Sequence, residues 1–293
     1  MNWDDVRIFL GVARAGQILS ASRRLNLNHA TVSRRVSALE DTLEAKLLVR
    51  RTNGCDLTPE GEAFLQAAER METEMLSARN AVGKSDTEAA GTVRIGVTDG
   101  FGIGFLAPRL GRLSDRFPGL KIQLVPVPQS FSLSRREADI LITVDRPDAG
   151  RLISRKLVDY TLALYAAKSY IAKHGLPDTV EALETHRLIG YVEDLIISPQ
   201  LHYRSEFVRN WESDFEISAV LGQVEAVRAG AGIGILHKFL ALPHDDLVPV
   251  LPSRKVDRSY WIVYHENLRN VRRVSAVVDF IAEETERERA IFR

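Results

Sequence analysis

The sequence predicts an α/β chain in two parts: a helical head with a short β-hairpin and a long helix behind it, then a larger body of alternating strands and helices. Three observations carry this reading. Residues 17–43 (QILSASRRLNLNHATVSRRVSALEDTL) read as two helices joined by a tight turn. Phe64, Ala68, Met71, Met75, Ala78 and Val82 recur at alternating spacings of four and three, one narrow apolar stripe along a long helix. From Val93 onward strand patterns alternate with helical ones, and residues 138–144 (ADILITV) form a nearly continuous apolar run, as in a strand buried on both faces.

The first helix is expected over residues 2–15. Asn2 is its cap, Asp4 and Asp5 suit the positive end of its dipole, and Trp3, Val6, Phe9, Leu10 and Ala13 make its buried side. The next helix runs over 18–24. Leu25, Asn26 and Leu27 make the turn, where Asn26 tolerates positive φ. Asn28 caps the following helix, which reaches about Leu43 and buries a stripe of Val32, Val36, Leu39 and Leu43. Between Ser20 and Ser37 stand four arginines (Arg23, Arg24, Arg34, Arg35) and no acid. A short amphipathic helix offering His29, Thr31, Ser33 and Arg34 on its outer amino-terminal side suits the major groove of duplex DNA. The same residues also fit an ordinary helical hairpin with a solvated basic face.

Residues 47–50 read as a strand, 51–54 as a turn marked by Asn53-Gly54, and 55–57 as the returning strand. Arg50 and Arg51 would lie near a backbone or a minor groove, or simply on a solvated turn. Thr58-Pro59 caps and opens a helix reaching about Val82. Its stripe (Phe64, Ala68, Met71, Met75, Ala78, Val82) calls for a partner helix, either a second copy of the chain or the chain's own head. Residues 83–91 are small and polar, a linker.

In the body, residues 93–98 alternate as a strand, 99–104 read as a loop with three glycines, 105–116 as a helix stopped by Phe117-Pro118-Gly119, and 121–127 as a second strand. Strands are further expected over 154–167, 188–192, 216–221, 247–251 and 260–265, with helices over 170–174, 181–186, 224–229 and 271–284. In such a sheet a ligand meets the carboxyl ends of the strands. Those positions are Thr98, Asp99 and Gly100, then Ser130, Phe131 and Ser132, and the neighbourhood of Gln223. Free N–H groups at helix starts favour a carboxylate there, whereas Asp99 would oppose one.

Composition bounds the rest. The 293 residues carry no net formal charge, but residues 1–57 hold nine Lys/Arg against six Asp/Glu, so the basic excess sits around the two-helix turn. A single cysteine, Cys55, excludes an internal disulfide and a cysteine metal cluster. No apolar run approaches a membrane span, and the acidic, amphipathic start MNWDDVRIF is unlike a secretory signal; the expectation is a cytoplasmic protein. Neither glycine cluster, at 100–104 or 230–234, has the spacing of a nucleotide loop, and the seven histidines form no H-x-x-x-H pair. No cofactor, metal or catalytic residue is expected.

Residues 1–65 closely resemble the winged helix-turn-helix of LysR-type transcriptional regulators. The resemblance rests on Phe9, Val12, Ala13, Gly16, Ser20, Ala21, Leu25, Val32, Ser33, Arg34, Leu39, Glu40, Leu43, Leu47, Arg50, Leu57, Thr58, Gly61 and Leu65. Ser22 and Asn28-His29-Ala30 depart from the usual pattern. Residues 91–293 are similar to the effector domain of that family through GTVRIGVT, RFPGLKIQL, ADILI, SYIAKHGLP, VRAGAGIGIL and SYWIVYHENLR. The resemblance implies a winged helix-turn-helix over 1–58, a dimerisation and linker helix over 59–90, and a two-lobed periplasmic-binding-protein-like effector domain over 91–293. Lobe I would be 91–160 with 266–293, and lobe II 161–265. It further implies double-stranded DNA, a small-molecule effector and a second copy of the chain as partners, assembly as a dimer of dimers, and RNA polymerase as a candidate partner. The DNA-binding set is then Arg23, Asn28, His29, Ala30, Thr31, Ser33, Arg34, Arg35, Arg50 and Arg51. The rival reading is a small-molecule-binding protein or enzyme carrying an N-terminal interaction module.

Overall fold

The computed structural model describes residues 2–51, 54–82, 89–126, 138–147, 151–196, 198–209 and 211–293. The chain divides into two compact units, Met1–Asp86 and Thr87–Arg293.

The first unit opens with α1 (Trp3–Ala15), capped by Asn2, whose side chain accepts from Asp5 N at 2.9 Å. Gly16 ends it at φ 64°. α2 (Ile18–Leu25) takes in Leu25, one residue beyond the predicted end, and Asn26 closes it in the left-handed region. α3 (His29–Leu43) begins at Asn28, whose side chain accepts from Thr31 N at 2.7 Å. Val32, Val36 and Leu39 bury their side chains against Val6, Phe9, Leu10, Val12 and Ala21. A hairpin follows, β1 (Leu48–Arg51) antiparallel to β2 (Gly54–Leu57). Its register pairs Arg51 with Gly54, so both belong to the strands and not to the turn. Thr52 and Asn53, expected in that turn, lie outside the described residues. Gly54 is required for another reason: a Cβ there would stand 2.7 Å from the Gly16 carbonyl oxygen, which accepts from Cys55 N. α4 (Pro59–Val82) completes the unit, and Thr58 caps it by accepting from Gly61 N at 2.8 Å.

Among its described residues the second unit is built on one eight-stranded sheet, whose strands in spatial order are Leu120–Pro126, Gly91–Val97, Ile140–Thr143, Leu247–His265, Leu152–Ala167, Ile233–His237, Leu188–Gly190 and Phe215–Glu216. β3 (Gly91–Val97) leads into α5 (Asp99–Phe101), then into π and 3-10 turns over 102–109, and into α6 (Leu110–Arg116). The predicted loop at 99–104 is therefore helical. Its glycines serve close approach: a Cβ on Gly102 would stand 2.5 Å from Val97, and one on Gly104 2.2 Å from Leu240. β4 (Leu120–Pro126) and β5 (Ile140–Thr143) flank β3 in parallel. β6 (Leu152–Ala167) crosses to the other half, which holds α7 (Lys168–His174), β7 (Leu188–Gly190), α8 (Arg204–Phe207), β8 (Phe215–Glu216), α9 (Val220–Arg228), β9 (Ile233–His237) and α10 (Lys238–Ala241). The strand expected over 216–221 is thus two residues long, and the helix starts at Val220. β10 (Leu247–His265) returns antiparallel to β6, joining two predicted strands into one, with a register shift between Val250 and Lys255. α11 (Arg272–Arg287) closes the unit on β3 and β6, burying Val274, Val277, Val278 and Ile281.

Arg109, Arg112 and Arg116 leave the helical run at one-turn intervals and pair with Glu288, Glu284 and Glu283 of the last helical segment. Between these segments Phe101, Phe105, Phe239 and Phe292 pack ring to ring.

Candidate functional site

In the first unit, Asn28, His29, Ala30 and Arg34 are exposed at the amino end of α3, with Thr31 and Ser33 half-buried beside them and Arg23 exposed on α2. Arg23 and Arg34 form no ion pair with any described residue. Arg35 differs: it pairs with Asp5 at 2.7 Å and Asp4 at 3.2 Å, which ties α3 to α1. Arg51 pairs with Asp56 across the hairpin. The side chain of Arg50 lies outside the described residues.

Glu40 is the residue of this unit whose role the sequence pattern conceals. On the buried side of α3, 6% exposed, it accepts from Leu47 N at 2.9 Å, Leu48 N at 3.1 Å and Lys46 Nζ at 3.0 Å. Burial alone would raise its pKa; these hydrogen bonds outweigh it and hold the carboxyl below the ordinary glutamate range. Glu40 thus fixes the start of the wing to the back of the helix that presents His29 and Arg34.

The apolar stripe of α4 splits. Ala68 is fully buried and so packs on the chain's own head, not on a second copy as expected, while half-buried Phe64 meets Phe9 of that head edge to face at 5.3 Å. The cause is proximity: the first turns of α4 follow directly on the hairpin, and α1 covers them. Arg14 of α1 holds the next turn through Glu72 at 2.7 Å. Met71 and Met75 remain exposed. The side chains of Ala78 and Val82 lie outside the described residues.

In the second unit, Thr98 and Asp99 stand at the carboxyl end of β3, facing the start of α9. Asp99 Oδ2 accepts from Leu221 N at 3.4 Å, and Gly100 lets its helix approach Val220, to which a Cβ would stand at 3.2 Å. Gln223 is buried and donates through Nε2 to Ile217 O at 2.7 Å, holding the loop ahead of α9. Ser130, Phe131 and Ser132 lie outside the described residues. Beside Thr98 a ring stack crosses the sheet: Tyr260, Tyr160 and His237, with centroids 4.2 Å and 4.9 Å apart. Tyr160 and Tyr260 are pushed well above the ordinary tyrosine range, and Tyr203 up to about 12, chiefly by burial. Burial pushes His237 down to about 3, so its imidazole is neutral. Thr98 Oγ1, Tyr160 Oη and His237 Nδ1 are buried without a hydrogen-bond partner among the described residues, and Tyr260 lies near Thr98 without hydrogen-bond geometry between them.

Comparison with known proteins places both units. The family model described as LysR substrate binding domain matches residues 86–286, and that described as bacterial regulatory helix-turn-helix protein, lysR family, matches residues 3–62. The chain belongs to the LysR family of transcriptional regulators. Among similar proteins are CrgA of Neisseria meningitidis serogroup C, 26% identical with 97% of each chain covered, and the transcriptional activator AaeR of Escherichia coli, 27% identical over 94% of this chain and 91% of that one. The solved structure of CrgA, a LysR-type transcriptional regulator, covers 97% of this chain and 99% of its own at 25% identity and a TM-score of 0.60. A full-length OxyR variant from Pseudomonas aeruginosa shares the fold over both whole chains, at 16% identity and a TM-score of 0.74.

This LysR-type regulator therefore carries a helix-turn-helix DNA-binding domain and an effector-binding domain. Among the described residues no helix is long and apolar enough to cross a membrane, and no group of His, Cys, Asp or Glu is arranged to hold a metal. Sequence reasoning passed over Tyr160, Tyr203, His237 and Tyr260. The first and last sit in runs that read as ordinary strand, DYTLALY and SYWIVYH, and only the pairing of β6 with β10 brings their rings together.

Proposed function

We propose that this regulator reads duplex DNA as a homo-oligomer in the cytoplasm and does no chemistry of its own. Two copies of α3 enter successive major grooves, where His29, Ala30, Thr31, Ser33 and Arg34 choose bases. Asn28 holds the helix start, while Arg23, Arg50 and Arg51 contact phosphates or the minor groove. Arg35 contributes through α1, by way of Asp4 and Asp5. Met71 and Met75 begin the seam between copies, continued by Ala78 and Val82, and pairs of dimers form a tetramer. The effector occupies the region of Thr98, Asp99, Gly100 and Gln223 between lobe I (91–160 and 266–293) and lobe II (161–265). RNA polymerase is the further partner through which the DNA-bound assembly acts.

The supporting observation is the amino end of α3: exposed, capped, and carrying an arginine uncommitted among the described residues, next to arginines that carboxylates already hold. The test is a mobility-shift assay of the full chain on the DNA upstream of its own gene, across a salt series. Binding should weaken linearly in log–log form, with a slope of about −0.9 per phosphate contacted. A complex that forms equally on scrambled DNA at every salt concentration refutes sequence-specific reading. Absence of any complex, together with turnover or ligand affinity, favours the rival class.

A further inference from the structure

The amino end of α9 is a place in the second unit suited to an anion, since the first N–H groups of a helix have no partner within it and the dipole favours negative charge. Its N-cap residue, Ala219, supplies no side-chain oxygen. The acceptor comes instead from the end of β3, as Asp99 Oδ2 takes the hydrogen bond of Leu221 N at 3.4 Å. Close packing supports the contact, because the helix that begins at Asp99 lies against Val220 through Gly100.

The surroundings supply no counter-charge for a second anion among the described residues. Arg204 is held by Glu193 at 2.6 Å and Glu216 at 3.6 Å; Arg258 is held by Glu206 and donates to Gln200 O at 3.0 Å. His237 is buried and neutral. What the neighbourhood offers is hydrogen bonding: the partnerless Thr98 Oγ1, Tyr160 Oη and His237 Nδ1, each able to pair with an alcohol, amide or amine. Buried polar atoms left unpaired cost free energy, so a ligand that pairs with them offsets that cost.

We propose that Asp99 is an internal anion, occupying the place at the amino end of α9 that a carboxylate effector would take, and that the ligand of this cleft is an uncharged or cationic polar molecule met by Thr98, Tyr160 and His237. The inference rests on the reading of this region as the effector cleft.

Chemical rescue tests it in the full chain. Asp99→Ala, and Asp99→Ser should the first fail to fold, vacate the carboxylate while leaving the amino end of α9 intact. Each variant should melt below the wild type. Sodium acetate at about 0.1 M should then raise its melting temperature by roughly 2–4 °C over sodium chloride of equal ionic strength, the scale expected for a nearly saturated weak site in a unit of this size. Acetamide should give no gain, and the wild type should gain nothing from acetate. An equal acetate gain in the wild type overturns the inference, because the site is then open to anions with Asp99 in place. No acetate-specific gain in either variant overturns it as well. Affinity for the DNA upstream of the gene, measured alongside, separates the two readings. Thermal rescue with DNA binding unmoved throughout sustains the internal anion and sinks only the effector-cleft reading.

Discussion

Removing the Glu40 carboxyl is the sharpest test of how the DNA-reading head is assembled. Glu40→Ala leaves the N–H groups of Leu47 and Leu48 without their acceptor, and the side chains of both residues are buried, so water replaces it poorly. An unsatisfied buried donor costs about 1–3 kcal/mol; allowing for some water at the outer of the two, the pair comes to about 3 kcal/mol. In a unit of this size each kcal/mol is worth about 4–8 °C, so the transition of the first unit should fall by roughly 12–24 °C in calorimetry of the full chain, with that of the second unit unmoved. Glu40→Gln keeps one acceptor and loses the charge, and should cost about 1–2 kcal/mol. Because the folded-state pKa of Glu40 is lowered, the charge contributes stability above the ordinary value of 4.5 and loses it as pH falls through the folded value. The gap between wild type and Glu40→Gln should therefore narrow as pH falls below 4.5 and close once pH has passed the lowered folded-state value. Wild-type melting of Glu40→Ala at pH 7, or a gap that persists in acid, would show that Glu40 does not hold the wing as argued.

Other expectations follow from the same geometry. Arg34→Ala should weaken specific-site affinity by about 1–3 kcal/mol in a mobility shift, with the melting temperature unchanged. Arg35→Ala should do the reverse in kind: its partly exposed pair with Asp5 and Asp4 is worth at most about 1 kcal/mol of stability, read by calorimetry, and its effect on DNA affinity should be smaller than that of Arg34→Ala. Met75→Asp, at an exposed position of α4, should shift the chain toward monomer in sedimentation without lowering the first transition, whereas Ala68→Asp should unfold the head. Gly61→Ala places a Cβ 2.0 Å from the Leu47 carbonyl oxygen and should cost about 1–3 kcal/mol or more in the first transition.

The head was legible wherever local chemistry decides structure. Asn2, Asn28 and Thr58 cap the helices they were assigned to, and Asn26 takes the left-handed conformation that its position demands. Reading failed where a residue type has two uses. Gly100, Gly102 and Gly104 look like a loop; in the structure they are helix surface shaved down for Val97, Val220 and Leu240, and only tertiary contact distinguishes the two cases. Phe64 and Ala68 satisfy a heptad, yet periodicity identifies a buried face without naming what buries it. The sequence likewise shows that Arg34 and Arg35 both leave the apolar stripe, but not that Asp4 and Asp5 sit within reach of one of them. In the ligand region the strand ends were located, whereas the tyrosines and histidine that join them come from β6, β9 and β10 and meet only through long-range pairing.

β6 and β10 run through the whole width of the second unit, sixteen and nineteen residues long, hydrogen-bonded to each other along nearly their full length. The two halves of that unit are therefore joined by two strands tied together by a ladder of backbone hydrogen bonds and not by a pair of slack threads. A paired ribbon resists being bent or sheared across its rungs far more than being wrung about its long axis. Its softest point is the shift between Val250 and Lys255, where Leu251 takes a φ of 45° and the rungs are interrupted. Movement of one half against the other is thus least opposed as torsion about that ribbon, and most readily taken up where its rungs are interrupted.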